Sequence, residues 1–194
     1  MKETTIEDIE EKARLWHAQG KAWHFHMLPG DCVFNERSGH YAFMLENRTD
    51  DETYVVYWSE RGGASDSGGR RHSDGASSAA SYTAIDLPQK FMELGEELVT
   101  IQYGEDILDE GTGSTESTNE QMRAVLQKAR DLNERGVYWH CHLLFPDCAL
   151  NKHGGKWNIA FECKATGDFV EVLYDDDPVD DLNRIEVLYY EQKG

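Results

Sequence analysis

Two stretches of this chain nearly repeat each other: WHFHMLPGDCVFN at residues 23–35 and WHCHLLFPDCALN at residues 139–151. The match extends without gaps over residues 12–47 and 128–163, where thirteen of the 36 positions are identical at an offset of 116 residues. Self-similarity at a fixed offset is the mark of a repeated structural unit. Two copies at so long a period predict a tandem duplication with pseudo-twofold symmetry rather than a solenoid.

Both copies contain the same order of secondary-structure signals. In the first copy Thr4 and Glu7 have the spacing of a capping box, and Gly20 is placed to end the helix that follows. A strand, a break containing proline, a short strand, a turn rich in Asn and Gly, two further strands and a closing helix come next. The predicted fold class is therefore α+β, with two units that each consist of a helix, a three-stranded antiparallel meander and a second helix.

The boundaries of the units follow from the repeat and from composition. The first unit is assigned to residues 1–103, a linker to 104–118 and the second unit to 119–194. Residues 61–81 are rich in Gly and Ser and have no counterpart in the second copy, so they are expected to be a disordered insertion. The two units are expected to pack as one globular protein.

Charge and composition restrict the classes of partner. The chain has 194 residues, with 37 acidic against 19 basic side chains and a formal net charge of −18. A field of that sign disfavours nucleic acid and anionic membranes. The sequence has neither a long apolar run nor a secretory signal, so a cytoplasmic location is expected. An acidic surface of this kind also fits a halophilic protein, in which salt screens the repulsion between carboxylates.

The repeated histidines provide the candidate functional site. Alternate side chains of a strand share a face, so His24 and His26 lie opposite the apolar set that begins with Trp23. The second copy repeats the pattern with His140 and His142. On the returning strand of each copy, the parity of Glu46 and Glu162 places them on the histidine face. Two imidazoles beside a carboxylate can bind a divalent metal such as Zn, Fe or Mn and leave positions open for a small-molecule ligand.

The leading prediction is a metal-binding protein, in its stronger form a metalloenzyme. The candidate ligands, in order of preference, are the four histidines, then the two glutamates, then two repeated cysteines: His24, His26, His140, His142, Glu46, Glu162, Cys32 and Cys148. In one variant of this hypothesis, the four imidazoles converge on a single ion at the pseudo-twofold axis. The sequence does not identify the metal, the reaction or the oligomeric state.

Two other functional classes remain open. In a non-catalytic interaction or regulatory module, the histidines would be structural and would bond to main chain or carboxylates. In a thiol-dependent enzyme, Cys32 or Cys148 would be a nucleophile activated by a nearby imidazole. Against the thiol enzyme, buried cysteines are commonly small core residues, and Asp31 and Asn35 are suited to capping the turn around Cys32.

Overall fold

The computed structural model describes residues 4–59, 89–103 and 116–191. Within these ranges the chain forms four helices and two three-stranded antiparallel sheets, which confirms the α+β class. The first half contains, in order, α1 (Ile6–Ala18), β1 (Trp23–Leu28), β2 (His40–Asn47), β3 (Glu52–Ser59) and α2 (Gln89–Tyr103). The second half contains α3 (Glu120–Glu134), β4 (His140–Leu144), β5 (Trp157–Cys163), β6 (Asp168–Tyr174) and α4 (Val179–Glu191). The predicted insertion at 61–81 and most of the predicted linker lie outside the described residues.

The ends of α1 and α3 have clear local causes. α1 begins with a capping box one residue later than predicted: Thr5 accepts from the backbone N–H of Asp8 at 3.2 Å, and Asp8 accepts from the N–H of Thr5 at 2.9 Å. The choice of Thr4 was wrong because the spacing alone fits both threonines. Asn119 caps α3 through its side-chain oxygen. Gly20, with φ of +66°, follows α1 in the left-handed conformation that favours glycine.

The strand register confirms the predicted faces. In both sheets the central strand pairs with its two neighbours, in the orders β1-β2-β3 and β4-β5-β6. His24 lies directly across from Glu46, and His140 across from Glu162. The short strand predicted after each proline break does not form; turns occupy these positions instead.

The apolar faces of both sheets belong to one continuous core. Helices α1 and α2 cover the first sheet, where the ring of Phe91 packs edge-on against Phe43. In the second half Trp139, immediately before β4, packs against Tyr189 of α4. The side chains of this core come from both halves of the chain and are almost entirely buried. The histidine faces are therefore a separate environment from the apolar core.

None of the described helices has the length and apolar character needed to cross a bilayer.

The carboxyl group of Glu186, at the edge of the apolar core, should make the free energy of unfolding depend on pH. Burial raises the pKa of Glu186, on α4, to about 7, and Glu186 in turn adds to the raised pKa of the nearby Cys141. Because the folded pKa lies above the unfolded one, the native state binds more protons, and stability falls as pH rises from about 4.5 to 7. We expect Glu186→Gln to remove this loss, so that its stabilising effect grows by about 1–3 kcal/mol between pH 5 and pH 8.

Urea denaturation of both proteins at pH 5 and pH 8 would measure this effect. Glu191→Gln is the matched control, because it removes the same charge at an exposed position on the same helix. Equal gains from the two substitutions at pH 8 would mean that relief of the net negative charge, and not burial of Glu186, is responsible.

Candidate metal centre

A loop with the same construction follows β1 and β4; residues 29–39 and 145–155 are here called the exchanged loops. The Nδ2 amide of Asn35 donates to the carbonyl of Pro29 at 2.9 Å and to that of His40 at 2.6 Å. In the second half Asn151 donates to the carbonyls of Phe145 and Lys156, both at 2.7 Å. Each asparagine thus ties together the two ends of its own loop, so the loop geometry is fixed within each half.

Each exchanged loop reaches over the histidine face of the other half. From the first loop, the N–H of Val33 donates to Oε2 of Glu162 at 3.0 Å, and the ring of Phe34 meets that of His142 edge-on. From the second loop, Phe145 lies against His24 with ring centroids 5.0 Å apart. Each half therefore supplies the cover for the polar face of its neighbour.

This exchange creates two reciprocal clusters of metal-ligating side chains. Cys148 of the second loop joins His24 and His26 of the first sheet, with one ligand atom from each residue within 4.8 Å of the others. Cys32 of the first loop joins His140 and His142 in the same way, and its Sγ lies 3.3 Å from Nε2 of His142. These buried Cys/His groups could hold a metal ion.

The imidazoles lie in a row across the boundary between the halves. Ring centroids are 5.8 Å apart for His24 and His26, 5.7 Å for His26 and His142, and 5.1 Å for His142 and His140. The inner pair, His26 and His142, therefore connects the two clusters. The grouping of each histidine pair with a cysteine favours two adjacent sites over the single four-histidine site considered from the sequence.

His26 has an unusual environment for a polar side chain. It is 0 % exposed, and neither of its ring nitrogens has a hydrogen-bond partner. Nδ1 of His142 likewise has none. Burial, with the neighbouring imidazoles, holds the pKa of His26 and of His142 well below the usual range. Both rings are therefore neutral at physiological pH and have nitrogen lone pairs available to a cation.

The two glutamates lie against the outer histidines. Nε2 of His24 is 2.7 Å from Oε2 of Glu46, and Nε2 of His140 is 3.2 Å from Oε2 of Glu162. Burial raises the pKa of Glu46 despite the His24 contact. Burial opposes ionisation of Glu162 too, but the His140 ring and the Val33 N–H outweigh it and lower the pKa of Glu162. A carboxylate on a ligating imidazole orients that ring and raises its basicity.

Cys32 and Cys148 are buried beside the histidines, closer to them than their third place among the candidate ligands implied. The ranking put glutamates before cysteines, whereas the Cys/His groups contain Cys32 and Cys148 and leave the glutamates behind the outer histidines. Burial raises the pKa of both thiols strongly. Cys141 and Cys163, which lack a counterpart in the other copy, lie in the apolar core.

Sequence reasoning did not identify the contact residues of the exchanged loops. Phe34 and Phe145 enclose the imidazoles, and the N–H of Val33 binds a glutamate of the other half. The available signal was the repeated Cys six residues after His26 and after His142, directly behind a proline break in each copy. That spacing is short enough to look local, and so it concealed the exchange.

Comparison with protein-family models, curated proteins and solved structures finds no match for this chain.

Loss of a loop asparagine should destabilise the fold. Asn35→Ala removes the amide that holds the carbonyls of Pro29 and His40, and leaves these part-buried acceptors without their donor. We expect a loss of about 1–3 kcal/mol in the free energy of unfolding, measured by urea denaturation. Asn183→Ala, on the exposed surface of α4, is the control and should change stability little. Similar losses for both variants would contradict the role assigned to Asn35.

Proposed function

We propose that this chain is a metal-binding protein that holds divalent ions, zinc first, in its two reciprocal Cys/His clusters. The observation that carries the proposal is His26: a fully buried imidazole with no hydrogen-bond partner on either nitrogen, within reach of a second histidine and a thiol. Leaving a buried polar group unsatisfied costs about 1–3 kcal/mol. A bound ion would satisfy one nitrogen of this imidazole together with one ligand atom of each of its two neighbours.

The donor set favours zinc over the other metals considered. Thiolate and imidazole suit Zn, whereas Mn prefers carboxylate and water. The Sγ of Cys32 and the Nε2 of His142, 3.3 Å apart, are close to the separation of about 3.5 Å that ligands of a tetrahedral zinc ion adopt at ordinary bond lengths. On binding, the thiol would lose its proton, and one thiolate with one nearby glutamate would balance the charge of one divalent ion.

Three protein ligands would leave a fourth coordination position at each ion. Structural zinc sites fill all four positions with protein, whereas catalytic ones keep one for water or substrate. A small molecule that binds the metal directly is therefore the class of ligand that suits this centre, and metalloenzyme activity is the stronger form of the proposal.

The reciprocal clusters also support the proposed origin of the chain. We infer a tandem duplication of units 1–103 and 119–194 with pseudo-twofold symmetry. The two halves have the same element order, and each supplies a histidine pair to one cluster and a cysteine to the other.

Zinc stoichiometry tests the proposal directly. Protein loaded with zinc chloride and desalted should contain two equivalents by elemental analysis. Cys148→Ala should contain one, because only the cluster of Cys32 keeps its thiol, and Cys32→Ala/Cys148→Ala should contain none that survives desalting. Cys141→Ala is the matched control: it removes a buried cysteine of the apolar core and should retain both equivalents.

Cobalt substitution tests which atoms bind. With Co(II) in place of zinc, the protein should show a sulfur-to-cobalt charge-transfer band in the near ultraviolet. That band should decrease by about half in Cys148→Ala and stay unchanged in Cys141→Ala. Cobalt bound without any such band would show that the thiols are not ligands. Protein that contains no metal after loading, and whose stability is the same with and without a chelator, would contradict the metal proposal.

The contacts between glutamates and outer histidines favour a second candidate, the interaction module with structural histidines. His24 and His140 each have a carboxylate within 3.2 Å, as a purely structural histidine would. This candidate leaves the unpartnered nitrogens of His26 unexplained. The thiol-enzyme alternative is weakened by the burial of Cys32 and Cys148, because a raised thiol pKa reduces the reactive thiolate at neutral pH.

A further inference from the structure

We infer that the two metal sites load cooperatively, because each ion fixes the exchanged loops over both histidine faces. This inference rests on the proposed function and adds a property to it: coupling between the sites. The coupling follows from how the candidate ligands are distributed along the chain.

Each half places its ligands for both sites on one short segment. His24 and His26 serve the first site, and Cys32, six residues further on, serves the second. In the other half His140 and His142 serve the second site, and Cys148 serves the first. An ion in either site therefore immobilises the two segments that the other site needs.

The exchanged loops contact the opposite half mainly through aromatic rings: Phe34 lies edge-on to His142 and Phe169, and Phe145 lies against His24. Between the described helices and strands, the closest approaches are within one half, between sequential strands and between the two helices of that half. Across the halves, Arg48 pairs with Asp147 at 2.9 Å, but the aspartate is more than half exposed, so solvent screens the pair. From the first loop, the N–H of Val33 donates to Glu162. Metal–ligand bonds would add a directional restraint to loops that ring packing and these polar contacts already hold over the opposite half.

The inner histidines make the coupling direct. The rings of His26 and His142 are in edge-on contact, with centroids 5.7 Å apart, and each belongs to a different cluster. Fixing one ring by coordination limits the positions available to the other. The first ion pays the entropic cost of ordering the loops and the inner histidines. The second ion then binds to segments that are already ordered, so its affinity is higher, which is positive cooperativity.

Competition between the protein and a chromophoric chelator, titrated with zinc chloride, measures the coupling. Wild-type protein should bind its two equivalents together, with the one-equivalent species scarcely populated. In Cys148→Ala, which lacks the first site, and in Cys32→Ala, which lacks the second, the remaining site should in each case bind zinc at least about fivefold more weakly than the wild-type average. Cys141→Ala should match the wild type.

A second variant separates coupling from local damage to the loop. His24→Gln also removes a ligand of the first site but leaves residues 145–155 unchanged, so it should weaken the second site by a similar factor. Hydrogen exchange supplies an independent readout: less than one equivalent of zinc should slow amide exchange in residues 31–35 and 147–151 together in the wild-type protein.

The outcomes distinguish this inference from the proposed function. Two equivalents bound with independent affinities, or a remaining site that binds zinc as tightly as the wild-type average in either cysteine variant, would overturn the coupling and leave metal binding standing. Failure to bind zinc in any form would overturn both proposals.

Discussion

The rest of the structure depends on the burial of polar groups on one face of each sheet. The other face of each sheet packs against helices in a shared apolar core, which leaves imidazoles and carboxylates facing the opposite way with almost no access to water. Such groups are costly to bury unless something satisfies them. The exchanged loops supply the cover, and in doing so they bring a thiol from each half to the histidines of the other.

Much of this arrangement could be predicted from strand parity and repetition. Alternation placed His24 and Glu46 on one face, and the register puts them directly opposite each other. The ligand set could not be predicted, because the repeated sequence gives each of Cys32 and Cys148 two equivalent histidine pairs, one in its own half and one in the other. Six residues separate His26 from Cys32, which fits a site within one half, but the intervening turn sends the cysteine towards His142.

The two histidine faces differ in polarity, so the two candidate sites are not equivalent. Beside the first histidine pair the sheet presents Met44 and Val55, which join a small apolar cluster. At the corresponding positions the second half has Ala160 and Glu171, and Glu171 accepts from Asn158 at 2.8 Å and contacts His153 at 3.0 Å. An ion in the first site would thus have drier surroundings, which strengthen electrostatic interactions with its ligands. If the sites are coupled and differ in affinity, an ion in the stronger site would order the ligands of the weaker site before the second ion binds.

The exchange also bears on how such a chain could arise. A single unit has both a histidine pair and a cysteine, but each cysteine groups with the histidines of the other half. In a twofold dimer, every contact between different residues occurs twice. If the chain arose by the proposed duplication, a metal-binding ancestor with one unit per chain would therefore have been a symmetric dimer with two identical sites. Fusion of the two copies would keep both sites while freeing each half to change. Met44 and Phe25 differ from Ala160 and Cys141 at the matched positions, as such freedom would allow.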